Sequence, residues 1–281
     1  MMAASALAFA IALAFTFPAA PSITAPNAIL VNAASGEILF ERNADEPVSP
    51  AALAQLMTLL VAAESIDADV SALDDMVIAS PTAAKAQGSQ IFLEPGETMP
   101  LRDLVASIAL GSANDSCVAV AEHIAGTEPA FVEIMNERAS ELGMDNTRFS
   151  TCTGLPEGGT ISSARDIAKP AIALHGFTWI MEWFSTSEHS LRDGRIVLRN
   201  TNRLLSQYEG AYGFKTGYNI DAGFCIVAAA ERQGVRLVAV ILGAADSASR
   251  FTDAAALLDW GFAWGDRAHC SWASTVIGTA R

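Results

Sequence analysis

Phe224-Cys225-Ile226-Val227-Ala228-Ala229-Ala230-Glu231-Arg232-Gln233-Gly234-Val235-Arg236-Leu237-Val238-Ala239-Val240-Ile241-Leu242 is the stretch that decides the fold class. Two apolar runs, 224–229 and 237–242, flank Glu-Arg-Gln-Gly, and that pattern predicts a β hairpin. Near the other end of the chain, Ala28-Ile29-Leu30-Val31-Asn32 and Ile38-Leu39-Phe40 read as two short strands around a Ser35-Gly36 turn. The middle is helical. Residues 49–66 carry Leu53, Leu56, Met57, Leu60 and Val61 at helical spacing, with Ser49 as the expected N-cap and Pro50 as the first helical residue. Further helices are expected over 103–110, 115–125, 131–142 (closed by Gly143) and 164–174, and a last amphipathic helix over 252–260. This order predicts an α+β fold in which strands from both ends of the chain share one sheet.

The chain has 281 residues, with 51% hydrophobic and 17% charged, which is ample for a real core and excludes intrinsic disorder. Seventeen basic against 31 acidic residues leave a net charge of −14, which repels a phosphate backbone, so no nucleic-acid partner is expected. Cys117, Cys152, Cys225 and Cys270 show no CxxC spacing and no histidine at ligand distance in sequence. Buried free thiols are therefore expected, one adventitious disulfide is the alternative, and no metal site or cofactor is expected. Residues 1–17 are almost wholly apolar and uncharged, a length that fits the core of a secretory signal better than a membrane span. Residues 1–25 are thus read as a signal peptide or an uncleaved N-terminal anchor, although a basic n-region is missing. Export to the periplasm or the outer face of the cytoplasmic membrane follows, with membrane contact only through an uncleaved leader.

Two short motifs carry chemistry. Ser112-Ala113-Asn114 lies between two predicted helices, and Lys215-Thr216-Gly217 is placed just before an apolar strand. Their order after the 49–66 helix resembles the serine penicillin-binding and β-lactamase superfamily, whose signature is SxxK, SxN, then KTG. The flanks narrow the match. Residues 34–43 (ASGEILFERN), 111–122 (GSANDSCVAVAE), 142–149 (LGMDNTRF), Thr153-Gly-Leu-Pro, Ser163-Ala-Arg-Asp, Asn202-Arg-Leu-Leu and 213–218 (GFKTGY) all resemble D-alanyl-D-alanine carboxypeptidases, the low-molecular-mass penicillin-binding proteins. The resemblance covers residues 28 to 265. It implies an antiparallel sheet of about five strands flanked by helices, a helical subdomain beside it, and a cleft between the two. Many members of that family continue into a second, β-rich domain; here only about 14 residues follow Arg267, so one such domain over 26–267 and a short tail over 268–281 are expected, with no second β domain.

One departure stands out. In that family the first motif reads Pro-Ala-Ser-Leu-Thr-Lys, whereas the aligned stretch here is Pro50-Ala51-Ala52-Leu53-Ala54-Gln55. No SxxK occurs anywhere: the residues three before Lys85, Lys169 and Lys215 are Thr82, Asp166 and Tyr212. The family's chemistry needs a serine hydroxyl to attack the D-Ala-D-Ala carbonyl and an amine one helical turn later to take its proton. Ala52 has no nucleophilic atom, and Gln55 is a neutral amide without basicity. Loss of the nucleophile in a serine hydrolase costs on the order of 10⁶ in turnover, or roughly 8 kcal/mol.

The resemblance assigns the remaining site residues. Ser112 and Asn114 would line the cleft from the helical side, and Lys215 and Thr216 from the strand side. The N–H of Tyr218 and of Ala52 would form an oxyanion hole, and Arg250 would hold the terminal carboxylate of the substrate. The expected ligand is a peptidoglycan stem peptide ending in D-Ala-D-Ala, in a homologue that binds without hydrolysing. Two other readings stand beside it. One is an active peptidase that uses Ser112 with Lys215 as base. The other is an engineered inactive form, against which the triple departure at Ala52, Ala54 and Gln55 argues.

Overall fold

The structure is a computed structural model that describes residues 19–156 and 158–277. The residues expected to form the core of a leader, 1–17, lie outside the described residues. Within 19–25, Ile23 and Ala25 are already buried, and Thr24 and Ala25 donate backbone hydrogen bonds to the Asp253 carboxylate at 2.9 and 2.8 Å.

A five-stranded antiparallel sheet organises the chain. Its strands are β1 (Asn27–Asn32), β2 (Ile38–Arg42), β7 (Ala211–Asn219), β8 (Gly223–Arg232) and β9 (Val235–Ala244), in the order β2-β1-β9-β8-β7. The predicted hairpin is β8–β9. It turns at Gln233 and Gly234, both at positive φ, and runs in register from Arg232↔Val235. β1 then pairs with β9 from Asn27↔Leu242 to Asn32↔Leu237, so both ends of the chain do share the sheet.

The hairpin reads as continuous apolar runs because both faces are covered. Cys225, Val227, Ala229, Val238 and Val240 join the larger core cluster with the helical unit. Ile226, Ala228, Ala230, Leu237 and Ile241 face α8 (Ser247–Ile277), packing on Leu257 and Leu258. The last helix is therefore longer than the expected 252–260, and its backbone continues past residue 267, where the tail was drawn.

The helical unit comprises α1 (Gln55–Asp67), α2 (Leu101–Gly111), α3 (Asn114–Ala125), α4 (Glu128–Glu141), α5 (Ala164–Ala173) and α6 (Thr178–Ser185). Small pieces complete it: the two-stranded sheet of β3 (Met76–Ile78) and β4 (Thr98–Pro100), the hairpin β5 (Glu188–Leu191)/β6 (Ile196–Arg199), and the short α7 (Leu204–Gln207). α1 is its central rod, with every side chain from Gln55 to Ala63 buried. The start of α1 departs from the expected cap. Ala51 sits at φ 48°, which breaks the helical path, so a 3-10 turn over Ala51–Ala54 precedes α1. Ser49 caps nothing; its hydroxyl instead accepts a 3.4 Å hydrogen bond from Asn219 Nδ2 at the end of β7.

Among the described residues, no helix is long and apolar enough to cross a membrane. Cys117, Cys152 and Cys225 are buried free thiols; Cys270 lies among residues whose side chains are not described.

Candidate active site

The cleft opens where β7, the edge strand of the sheet, passes the 3-10 turn that starts α1. Approach is close: a Cβ on Gly217 would lie 3.1 Å from Ala52 N and 3.2 Å from Leu53 N. A third wall is the 151–155 loop. A Cβ on Gly154 would overlap Ala51 O, so only glycine fits, and its φ of 75° asks for glycine independently. The resulting cleft has a volume of about 140 Å³. Ala52, Ser112, Asn114, Thr153, Leu155 and Tyr218 are among its lining residues.

Ser112 and Asn114 come together through a backbone break. Ser112 closes α2 in the left-handed region, at φ 57° and ψ 37°, and Asn114 opens α3. Positive φ in a non-glycine residue is costly and concentrates at functional positions. Here it aims the Ser112 side chain back at Lys215, whose Nζ donates to Ser112 Oγ and to Ile108 O, each at 2.7 Å. The sequence placed Lys215 before a strand and on the cleft wall. It lies inside β7 itself, 0% exposed, and reaches the cleft only through Ser112. Burial pulls its ammonium down to about 7, because desolvation disfavours the charged form. Thr216 is likewise turned inward, with its hydroxyl donating to Thr201 Oγ1 at 2.8 Å.

Gln55 occupies the floor, 0% exposed. Its Nε2 lies within hydrogen-bond reach of three acceptors: Asn114 Oδ1 at 2.8 Å, Thr153 O at 3.2 Å and Ser112 O at 3.4 Å. Its Oε1 is buried with no partner. Asn114 is then fixed from its other end, Nδ2 donating to Gln87 O at 2.6 Å. Thr58, one turn along α1, donates to Cys152 O at 2.6 Å and anchors the third wall.

At the rim, Tyr218 is 55% exposed and stacks on Phe224, ring centroids 4.3 Å apart. Arg250, from the first turn of α8, is 9% exposed. Its guanidinium lies over Phe251 at 4.8 Å and Phe224 at 5.5 Å, and Nη1 donates to Gly217 O at 3.2 Å. Its Nε is buried without a partner, and burial lowers its pKa. A desolvated guanidinium with an unused donor beside the cleft is suited to a carboxylate. Sequence reasoning gave no role to Thr153, Gly154, Leu155, Gly88 or Asn219. The one usable signal was the Thr153-Gly-Leu-Pro segment, whose glycine marks a close backbone approach. His123, His175 and His189 stand elsewhere, beside Asp75, Tyr212 and Asp103.

The profile of the D-alanyl-D-alanine carboxypeptidase family matches residues 14–246. The chain belongs to this family. It is 40% identical over 241 residues to D-alanyl-D-alanine carboxypeptidase DacF of Bacillus subtilis, covering 85% of this chain and 62% of that protein. To DacC of Escherichia coli it is 38% identical over 251 residues, 86% of this chain and 62% of the relative. The chain thus spans under two thirds of the length of these family members. Among solved structures, penicillin binding protein 6B of Escherichia coli superposes with a TM-score of 0.83 at 34% identity, over 87% of this chain and 79% of that one. The penicillin-binding-protein fold implied by the SAN and KTG motifs is the fold observed.

Proposed function

We propose that this family member binds the D-Ala-D-Ala end of peptidoglycan stem peptides without hydrolysing it, as a binding or regulatory component of cell-wall metabolism on the outer side of the cytoplasmic membrane. One observation carries the reading: the cleft is built, yet Ala52 among its lining residues carries only a methyl group, and the buried side chain one turn on is a neutral amide. The surroundings of Gln55 support it. Three acceptors converge on Nε2, but an amide nitrogen has two hydrogens, and Oε1 is left stranded. An ammonium has three donors and no acceptor, so a lysine would satisfy this pocket completely. The glutamine keeps the walls together but supplies no base.

Binding would use the residues that remain. Ser112, held by Lys215, and Asn114 present a hydroxyl and an amide from the helical side. The backbone N–H of Ala52 and of Tyr218 would receive the scissile carbonyl, and Arg250 the terminal carboxylate. Without attack, these contacts stabilise a bound peptide rather than a transition state.

Mass spectrometry after penicillin exposure, run beside calorimetric titration with a D-Ala-D-Ala peptide, tests the proposal. Saturable binding with no mass increase is expected. A covalent adduct would overturn the non-catalytic reading, and its mapping to Ser112 would make the Ser112–Lys215 pair the nucleophile and base. Absence of both would overturn stem-peptide binding.

A further inference from the structure

A groove of about 440 Å³ opens at the other end of α2 from the cleft. Asp103, in the first turn of α2, lines it, whereas Ser112 closes the same helix at the cleft. Nine residues of helix between them span about 14 Å, and the two openings share no lining residue.

The groove runs between two small sheets. Thr98 and Pro100 of β4 line one side, and Ser190 of β5 with the 192–194 turn lines the other; β3 and β6 contribute nothing. β4 pairs only with β3, and β5 only with β6. Each therefore keeps one edge of unpaired backbone N–H and C=O groups, and the groove lies on that side of both. The spacing of the two sheets is fixed by Arg192. It holds a left-handed φ of 51°, and its guanidinium donates from Nε and Nη2 to Glu97 Oε1 and Oε2 at 2.7 and 2.8 Å. Nη1 donates to Ile91 O at 2.7 Å, so the β5–β6 turn is strapped to the loop that leads into β4.

The charge of the lining is uneven. Arg192 and Glu97 neutralise each other, but Asp193 is exposed and has no ion pair or hydrogen bond among the described residues. Asp103 meets only the His189 ring, at 3.4 Å. Two carboxylates thus face a groove whose one cation is already bound.

We infer that this groove takes an extended segment of a partner protein, which pairs with the β4 and β5 edges at once and brings a lysine or arginine to Asp103 and Asp193. The segment completes a five-stranded arrangement, β3-β4-segment-β5-β6. Main-chain hydrogen bonds to two edges supply affinity, and the two carboxylates select the charge. This site is independent of the stem-peptide reading of the cleft.

Fluorescent acetyl-Thr-Lys-Thr-Lys-Thr amide, followed by anisotropy on the full chain, tests the inference. Saturable binding is expected, at least about tenfold tighter than for the same peptide with glutamates in place of lysines. Methylating the backbone nitrogens of either alternate set of residues should weaken binding by at least about tenfold, because each set faces one edge. Asp193→Asn should weaken the lysine peptide several-fold, and excess D-Ala-D-Ala peptide should not displace it. Asp193 is exposed and unpaired, so the variant folds as the parent does, and circular dichroism checks this. Full tolerance of methylation would reduce the binding to attraction between net charges and overturn the inference. Tolerance of one methylated set would overturn pairing with both edges. Displacement by D-Ala-D-Ala peptide would put the probe in the cleft, and an unchanged Asp193→Asn affinity would put it elsewhere; either overturns the groove assignment, as does absence of binding.

Discussion

Gln55 Nε2 lies 2.8 Å from Asn114 Oδ1, a buried hydrogen bond that ties the first turn of α1 to the first turn of α3. The same nitrogen reaches Thr153 O at 3.2 Å, so one neutral side chain joins α1, the start of α3 and the 151–155 loop. Structural and catalytic demands on position 55 are separable here. The amide meets most of the first and, on the proposed reading, none of the second, while the cleft keeps its shape around an alanine.

The proposed reading predicts that activity can be restored. Ala52→Ser with Gln55→Lys would place a hydroxyl on the cleft lining and an ammonium among three waiting acceptors. The double variant is expected to form a penicillin adduct visible by mass, whereas the parent forms none. Ala52→Ser alone has a hydroxyl without its base and should label about 10²–10⁴-fold more slowly than the double variant. Equal labelling rates would show that residue 55 is not the base position.

Lys215 makes stability depend on pH in a definite direction. Its ammonium titrates near 7 in the fold, lowered by burial from an ordinary value of 10.5. Between those values the unfolded chain binds more protons than the folded one, so this group makes stability rise with pH. Below about pH 7 the lysine is charged in both states and its full desolvation cost is present. In Lys215→Met this contribution disappears. Denaturant melts at about pH 6.5, 8 and 9 should show parent stability gaining on the variant by up to about 1.4 kcal/mol per pH unit. A constant difference would mean that Lys215 titrates normally.

The architecture was legible because the hairpin over 224–242 and strand 28–32 are apolar runs that only a covered sheet can bury. Ser112, Asn114 and Lys215 were legible as types in order, but their depth was not. The KTG triplet falls inside β7, because Lys215 and Gly217 look no more strand-like than loop-like until the partner strand is known. Ser49 reads as a cap from sequence, yet the left-handed Ala51 two residues on displaces the helix start, and its carbonyl lies so close to Gly154 that only glycine fits there. The walls at Thr153, Gly154 and Gly88 are set by contacts distant in sequence, which no local pattern encodes.

Gly154 gives a prediction of its own. Gly154→Ala drives a methyl into Ala51 O at φ 75°, while Gly159→Ala meets nothing within 4 Å at φ 74°. Both bear about 1–2 kcal/mol for the left-handed backbone. Gly154→Ala must also push the 151–155 loop away from the start of α1. Thermal melts should therefore rank it clearly below Gly159→Ala, and peptide binding should fail in the first variant alone. Equal melting temperatures would mean that the loop yields without cost.

Arg250 separates recognition from stability. Its guanidinium is buried against Phe224 and Phe251 with Nε unpaired, so the fold bears a desolvation cost that its one hydrogen bond, to Gly217 O, only partly offsets. A peptide carboxylate arriving at the cleft would complete the pairing. Arg250→Gln should then weaken binding of a free-acid D-Ala-D-Ala peptide by about 10- to 100-fold, the range for a lost charged hydrogen bond. The same peptide with a C-terminal amide should bind parent and variant alike. The melting temperature should stay level or rise, because an unpaired buried cation has been removed. A structural role alone predicts the opposite pair of results: a lower melting temperature, with both peptides weakened equally.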